Sequence, residues 1–182
     1  MKRLAVLLLL ILSVVACSQE PPRGGKRSLP GPVPVGVSYP DVKGVSAPKF
    51  TLSLVDGTRV STEDLWRERP VVLLFFSSWC GKCADAQPEF TALAEKYRDA
   101  VAFLGVAGRD TETDLRRYLD EHRVSYPVAR DDAEQSAGRA FALREPPLVA
   151  VVANGGALVR GWPGGTSADA VATELAKLVH RR

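Results

Sequence analysis

Two cysteines separated by two residues, Cys80 and Cys83, lie in the stretch Trp79-Cys80-Gly81-Lys82-Cys83. The apolar run from Val71 to Phe76 precedes them and a helix-like segment follows, so the pair lies where a buried strand meets a helix. Free N–H groups at a helix N-terminus stabilise an anion, which favours the thiolate form of a cysteine there. The spacing places the two Cα atoms roughly 5 to 6 Å apart, within disulfide range. The sequence therefore predicts a redox-active dithiol in which Cys80 attacks and Cys83, one turn deeper, resolves.

Residues 1–16 have the pattern of an export signal. Lys2 and Arg3 form a charged start, and the apolar run 4–16 has 13 residues, whereas a spanning helix needs roughly 20. Small residues directly before Cys17 resemble the bacterial lipobox, whose cysteine becomes the first residue of the mature protein and carries lipid. The alternative is an ordinary signal peptide. The sequence predicts an exported, lipid-anchored protein facing the periplasm or the cell exterior, where disulfides persist.

Residues 17–45 have the composition of a tether, because prolines and glycines alternate there without helical or strand periodicity. As a flexible coil this segment would span on the order of 30 Å. The composition leaves open whether part of 33–45 packs on the following domain as an N-terminal extension. Residues 46–182 have the length and apolar content of one domain.

The charge of the chain argues against a nucleic-acid partner. Removal of 1–16 takes away two positive charges and no acidic ones, so the formal net charge falls from +3 to +1. A nearly neutral chain without basic clusters has no electrostatic footprint for nucleic acid. The three cysteines divide into one lipid site and one redox pair. We find no nucleotide, flavin or haem motif, and we expect a monomer with no cofactor and no metal ion.

Hydrophobic patterns and turn signals predict alternating strands and helices. The predicted strands are 50–55, 59–61, 71–76, 101–106, 148–153 and 157–162. The predicted helices are a short one capped by Ser61 or Thr62, then 81–98, 111–122, 133–143 and 168–180. The turns Asp56-Gly57 and Asn154-Gly155-Gly156 predict two hairpins. This order predicts an α/β sandwich with a mixed sheet.

The order of elements, with the dithiol at the first central strand-to-helix junction, resembles the thioredoxin fold. More narrowly, it resembles the TlpA/ResA-like extracytoplasmic thiol:disulfide oxidoreductases, which are grouped with the AhpC/TSA and Redoxin families. The resemblance covers about 46–180. It rests on Ala47-Pro48-Lys49-Phe50, Asp56-Gly57, Phe75 to Cys83, Pro88-Glu89-Phe90, Tyr126-Pro127-Val128, and Pro147 with the strand after it. It implies a thioredoxin fold with an N-terminal β-hairpin extension, protein thiols and disulfides as substrates, and a membrane electron donor.

The resemblance also assigns a role to a late proline, which is cis, lies against the dithiol and shapes the substrate surface. Glu145-Pro146-Pro147 allows two registers, and counting back from Gly156 favours Pro147. The family uses the backbone of the preceding residue to bond the substrate chain. Because Pro146 has no N–H to donate, we expect a weaker or differently shaped substrate contact here.

Two departures from the family concern proton transfer, since the buried thiol must lose its proton before it resolves a mixed disulfide. Relatives place an acid six residues before or six residues after the first cysteine. Here those positions are Leu74 and Ala86. Asp85 is adjacent to the second, yet on a helix it points about 100° away, and a solvated surface role is the favoured interpretation. We expect that another group or water acts as the base, or that exchange is slow.

Residues around the thiols are expected to shape the site. Lys82 stands where many reductive relatives carry proline. Its ammonium either favours the Cys80 thiolate further, which makes the disulfide more oxidising, or points to solvent and changes little. Trp79 is expected to shield the dithiol, and Gly81 completes the spacer.

Two other functions are found on related folds. A peroxidase of peroxiredoxin type would need proline at position 73 and threonine at position 77. This chain has Leu73 and Ser77, so it retains only the hydroxyl group of that motif, at Ser77. A copper chaperone would use the dithiol as soft ligands together with a histidine, but His122 and His180 lie far along the chain. The resemblance favours a reductase, although direction depends on the potential of the pair against its partners.

Overall fold

The computed structural model describes residues 29–181. The predicted signal segment 1–16, Cys17 and the first part of the predicted tether lie outside these residues. Within 29–181, no helix is both long and apolar enough to cross a membrane.

The described chain alternates between strands and helices. The strands are β1 (Val37–Ser38), β2 (Thr51–Leu54), β3 (Arg59–Ser61), β4 (Val71–Phe76), β5 (Ala102–Ala107), β6 (Val128–Arg130), β7 (Leu148–Val152), β8 (Leu158–Pro163) and β9 (His180–Arg181). The helices are α1 (Thr62–Glu68), α2 (Gly81–Tyr97), α3 (Glu112–Glu121), α4 (Ser136–Ala140) and α5 (Ala168–Leu178). The side chains of Thr111 and Ser167 cap α3 and α5, as the sequence predicts.

The described strands β2 to β8 form one mixed sheet in the order β3-β2-β6-β5-β4-β7-β8. Strand β4 runs parallel to β5 and antiparallel to β7. All its residues are buried, which agrees with an unbroken apolar run covered on both faces. The predicted mixed α/β architecture is therefore confirmed, with β4 in the interior of the sheet between β5 and β7.

Alternate side chains of β4 point to opposite faces of the sheet. On one face, Leu74 and Phe76 belong to the core cluster that buries α2, α3 and α5. On the other, Leu73 and Phe75 belong to the cluster that includes buried residues of α1 and α4. Helices thus cover both faces of the sheet, and the cluster under α2 carries the two redox cysteines.

Both predicted hairpins are present. Strands β2 and β3 pair from Thr51↔Ser61, with Gly57 at a φ of 88° in the turn. In the turn between β7 and β8, Gly156 has a φ of 92°, and a Cβ added there would lie 2.8 Å from the indole nitrogen of Trp66. Trp66 is buried under this turn, so it is a packing residue.

Two predictions of secondary structure were wrong in the segment before β7. The helix expected over 133–143 is only α4, because the carboxylates of Asp131 and Asp132 accept the first N–H groups and start the helix at Ser136. Ala142, at a φ of 54°, lies outside the helical region. Strand β6 was not predicted, since three residues show too little alternation to identify a strand.

The end of the predicted tether lies against the domain. Strand β1 pairs with β9, and the backbone at Val45 accepts a hydrogen bond from Leu158. The Tyr39 hydroxyl donates to the carbonyl of Ala100, and the Asp99 carboxylate accepts the N–H of Gly31. Residues 29–45 therefore include an extension that packs on the domain, the alternative that composition left open.

A glycine in β5 makes room for two aromatic rings, and its replacement tests this packing. A Cβ at Gly105 would lie 3.0 Å from Phe76 and 3.1 Å from Tyr126. We expect Gly105→Ala to lower the free energy of unfolding by about 1 to 3 kcal/mol, because the added methyl group would press on packed side chains, the nearest of them Val128 at 2.9 Å. Gly161→Ala in β8 is the control, since its Cβ meets nothing within 4 Å, and we expect a change within about 0.5 kcal/mol. Equal losses in denaturant unfolding would contradict the packing argument.

Candidate active site

The two cysteines lie at the start of α2 and form a disulfide with a Cα–Cα distance of 5.2 Å. Cys80 is the N-cap residue of the helix, and its Sγ accepts a hydrogen bond from the backbone N–H of Cys83 at 3.2 Å. The same N–H also donates to the carbonyl of Cys80 at 3.0 Å, so this donor of the first helical turn is shared between the carbonyl and the sulfur. The sulfur of Cys80 therefore occupies the position where a helix N-terminus stabilises negative charge.

The loop between β4 and α2 is held by the loop that follows β5. The hydroxyl of Ser77 donates to the carbonyl of Gly108, and the N–H of Cys80 donates to the carbonyl of Ser77. The N–H and hydroxyl of Ser78 both donate to the Oδ1 atom of Asp110. These bonds fix where α2 begins and hence where Cys80 lies.

Exposure does not distinguish the two thiol groups. Cys80 is 7% exposed and Cys83 is 6% exposed, whereas Trp79 beside them is 57% exposed. Gly81 and Lys82 are also exposed, and a Cβ at Gly81 would meet open space. The two cysteines therefore differ in position, since Cys80 is the N-cap residue and Cys83 lies in the first turn of α2, and not in accessibility.

A cis peptide bond joins Pro146 to Pro147, in the register that counting back from Gly156 favours. Pro147 and Cys83 line one cavity. Gly165, at a φ of 90°, packs so closely that an added Cβ would lie 2.7 Å from Cγ of Pro147. The loop after β8 therefore holds the proline beside the dithiol.

The cavity beside Cys83 has a volume of about 190 Å³ and lies between α2, the sheet and the loop at Gly164 and Gly165. Leu74 and Ala86, the two positions at which the family resemblance implies an acid, both line it. Lys82 borders it as well. Asp85 is exposed and is not among its lining residues, which supports its interpretation as a surface residue.

A buried amide and two phenols lie on the inner side of this helix. Gln87 is 4% exposed, and its Nε2 donates to the hydroxyl of Tyr126 at 2.7 Å and to Thr91 at 3.2 Å. The hydroxyl of Tyr118 donates to Oε1 of the same amide at 3.3 Å. Burial raises the pKa of Tyr126 and of Tyr118 well above the ordinary value, and the nearby charge of Asp110 raises the second further. Both phenols are therefore neutral hydrogen-bond donors at physiological pH.

The histidines lie away from the dithiol along the chain. His122 ends α3, where its ring lies 4.3 Å from that of Tyr118, and His180 lies in β9. Among residues 29–181, no group of three His, Cys, Asp or Glu side chains is placed to hold a metal ion.

Sequence reasoning missed four residues of this site. They are Gln87, Asp110, Tyr126 and Gly165. Asp110 carried a signal, since a polar residue directly after a parallel strand lies at the edge where the dithiol is found. Gln87 carried another, because it lies four residues after Cys83 and so shares its helix face. Gly165 showed no signal in the sequence, since only tertiary packing brings it to Pro147.

The sheet order and the place of the disulfide define the class: the chain is a thioredoxin-fold protein with a Cys-x-x-Cys disulfide at the start of a helix. Residues 44–160 match the model of the AhpC/TSA family. The chain therefore belongs to the AhpC/TSA family, which confirms the resemblance seen in its motifs.

Known relatives share the domain. The thiol-disulfide oxidoreductase ResA of Bacillus thuringiensis is 25% identical over 96 residues, which cover 52% of this chain and 55% of ResA. The chain thus matches about half the length of such curated relatives. DsbF of Mycobacterium tuberculosis superposes with a TM-score of 0.66 at 24% identity, covering 74% of this chain and 98% of DsbF. The exposed lipoprotein thioredoxin Etrx1 of Streptococcus pneumoniae gives 0.63 at 26% identity, covering 72% and 100%.

The contact between Gly165 and Pro147 is testable by a matched pair of substitutions. Gly165→Ala and Gly57→Ala both place alanine at a positive φ, but only the first collides with a neighbour. We expect each to cost about 1 to 2 kcal/mol of stability through backbone strain. Only Gly165→Ala should also slow disulfide exchange, because it displaces Pro147. Equal exchange rates in the two variants, measured with glutathione disulfide, would show that Pro147 does not depend on Gly165.

Proposed function

We propose that this protein is an extracytoplasmic thiol:disulfide oxidoreductase that exchanges disulfides with protein substrates through Cys80 and Cys83. The observation that carries the proposal is the sulfur of Cys80 at the N-terminus of α2, bonded to Cys83 and accepting its N–H. Such a sulfur is stabilised as a thiolate and is a good leaving group, which favours exchange in both directions. The names of ResA and Etrx1 support this chemistry.

The proposed reaction has two exchanges. The Cys80 thiolate attacks one sulfur of a substrate disulfide, the substrate bond breaks, and the other substrate sulfur leaves and takes up a proton. Cys83 then loses its proton and attacks Sγ of Cys80, which releases the second substrate sulfur and closes the disulfide. The dithiol gives up two electrons and the substrate disulfide gains them, so a donor must restore the dithiol after each turnover.

The exposed surface around the pair is the proposed docking site. The ring of Trp79 offers apolar area next to Cys80, and the half-buried Pro146 and Pro147 border the other side of the site. Pro146 offers the substrate chain a carbonyl but no N–H. We infer that this protein binds its substrate with one backbone hydrogen bond fewer than relatives with another residue there.

Pro146→Val should then speed exchange with one protein substrate, and an unchanged rate would contradict this.

We also propose that Cys17 carries lipid and that residues 18–28 connect it to the packed segment. A membrane donor then keeps the dithiol reduced. The description of Etrx1 as an exposed lipoprotein supports this arrangement, as does the apolar run directly before Cys17.

The direction of exchange is tested by the equilibrium potential of the Cys80/Cys83 pair in glutathione buffers. We expect a value near the −270 mV of thioredoxin, to within about 50 mV, because a reductase must hold its electrons weakly enough to pass them on. The reduced fraction is read by mass spectrometry after alkylation. The Cys83→Ser variant, which cannot close the disulfide, is the control. A value near about −120 mV, as in DsbA, would contradict a reductase and indicate an oxidant.

A further inference from the structure

The resolving thiol lies beside a cavity that holds no carboxylate. The residues lining the 190 Å³ space next to Cys83 include no Asp or Glu. At the two positions where relatives carry an acid, Leu74 and Ala86 border the cavity with apolar side chains. A thiolate formed at Cys83 would therefore be poorly stabilised by its surroundings unless another polar group serves it.

One polar pair does line this cavity, and it belongs to the Gln87 network. Cys83 and Gln87 are four residues apart on α2, so they lie on the same face of the helix. Gln87 and Tyr126 both line the cavity, together with Cys83. Tyr126 itself is 3% exposed, and its ring fits into space that Gly105 leaves open.

The hydrogen bonds of the network include one proton, that of Tyr126, which can change its acceptor. The amide nitrogen of Gln87 donates to the hydroxyl oxygen of Tyr126, and Tyr118 donates to the amide oxygen. The hydroxyl of Tyr126 donates to that same oxygen at 3.0 Å. Because the amide nitrogen of Gln87 also holds the Tyr126 oxygen, the Tyr126 proton can turn from the amide oxygen toward the cavity while the phenol stays in place.

The charged and titratable groups around Cys83 are few. On α2, Lys82 borders the cavity and Asp85 is exposed on another face. Strand β4, strand β7 and the loop at Gly164 and Gly165 contribute no titratable side chain to the cavity. Tyr126 is the titratable group that faces it from the β5–β6 side, whereas Asp110, whose charge acts on Tyr118, is not among the lining residues.

We propose that Tyr126, positioned by Gln87, supports the deprotonation of Cys83 through water held in this cavity. The inference rests on the proposed function and names the group that replaces the carboxylate of the relatives. The volume is ample for water, which needs a space of roughly 10 to 15 Å³ and two or more polar partners. Tyr126, Cys83 and Thr166 line the cavity and supply them.

The Cys83 thiol gives its proton to the cavity water, which passes it to solvent, and the Tyr126 hydroxyl donates a hydrogen bond that stabilises the new thiolate. The Cys83 sulfur then attacks Sγ of Cys80, and the substrate sulfur leaves as a thiolate and is protonated by solvent. Tyr126 keeps its own proton throughout, in agreement with its raised pKa, so it acts as a positioning residue.

The experiment follows the two exchanges separately with glutathione disulfide as the probe. Reduced protein is mixed with the probe between pH 5.5 and 8.5, quenched with acid and weighed by mass spectrometry. Attack by Cys80 gives the mixed disulfide with glutathione, and resolution by Cys83 removes it. We expect Tyr126→Phe to leave attack unchanged, to slow resolution about tenfold at neutral pH, and to move its pH midpoint up by about one unit.

Tyr118→Phe is the matched control, because it removes a hydroxyl from the same amide but Tyr118 does not line the cavity. We expect resolution to change less than twofold in this variant. Adding Ala86→Glu to Tyr126→Phe should restore at least half of the lost rate, which a purely structural defect would not allow. Gln87→Met, which removes the positioning amide, should reproduce the shift seen with Tyr126→Phe.

Two results would overturn the inference. One is a Tyr126→Phe protein that resolves with the pH profile of the original protein, and the other is a Tyr118→Phe protein that shifts as far as Tyr126→Phe. If the original protein forms no mixed disulfide at Cys80 at all, the proposed function fails and the inference fails with it. If it forms the mixed disulfide and only the Tyr126 effect is missing, the proposed function stands and the role of Tyr126 is refuted.

Discussion

The N–H of Cys83 that points at the sulfur of Cys80 is the interaction on which the site depends. It exists because α2 begins at Gly81, directly after a cysteine in extended conformation. That start is fixed from behind by the end of β4 and from the side by Asp110, which accepts two hydrogen bonds from Ser78. A shift of one residue at this junction would move the sulfur away from the helix N-terminus. The packing of the buried sheet therefore determines the reactivity of Cys80.

Strand β4 is subject to two opposite requirements. The core requires apolar side chains in it, whereas deprotonation of Cys83 requires a polar group nearby. β4 must be buried on both faces to anchor the helix, so its side chains are all apolar. The family resemblance implies an acid in this strand or in the helix that serves the deeper thiol, at the cost of burying a charge. This chain has Leu74 and Ala86 at those positions. The buried polar side chains that line the same cavity are Gln87, the residue after Ala86 on α2, and Tyr126, which precedes β6. The neutral network is fully hydrogen-bonded, which makes it a less costly group to bury than an isolated carboxylate.

Much of the fold was predictable because its signals are local. The unbroken apolar runs identified β4 and β5, the glycine turns identified both hairpins, and Ser167 identified the start of α5. The dithiol and the register of Pro147 were also readable from spacing. The short strand β6 was not, since three residues show too little alternation to identify a strand. The bounds of α4 were not either, since the contacts of Asp131 and the backbone conformation at Gln135 and Ala142 decide them. Gln87 and Tyr126 are brought together by the packing of α2 on the sheet, and Asp110 reaches Ser78 where two loops meet. Their positions in the sequence therefore indicate a role in the site only weakly.

The central claim is that the helix N-terminus makes Cys80 the thiolate of the pair. Alkylation of the fully reduced protein by iodoacetamide, followed by peptide mass spectrometry across pH, tests it most directly. We expect Cys80 to be modified first, with its rate half-maximal at least one unit below the value of about 8.5 that is typical of a free cysteine. Alkylation of Cys83 before Cys80, or a midpoint for Cys80 at or above 8.5, that same free-cysteine value, would contradict the claim.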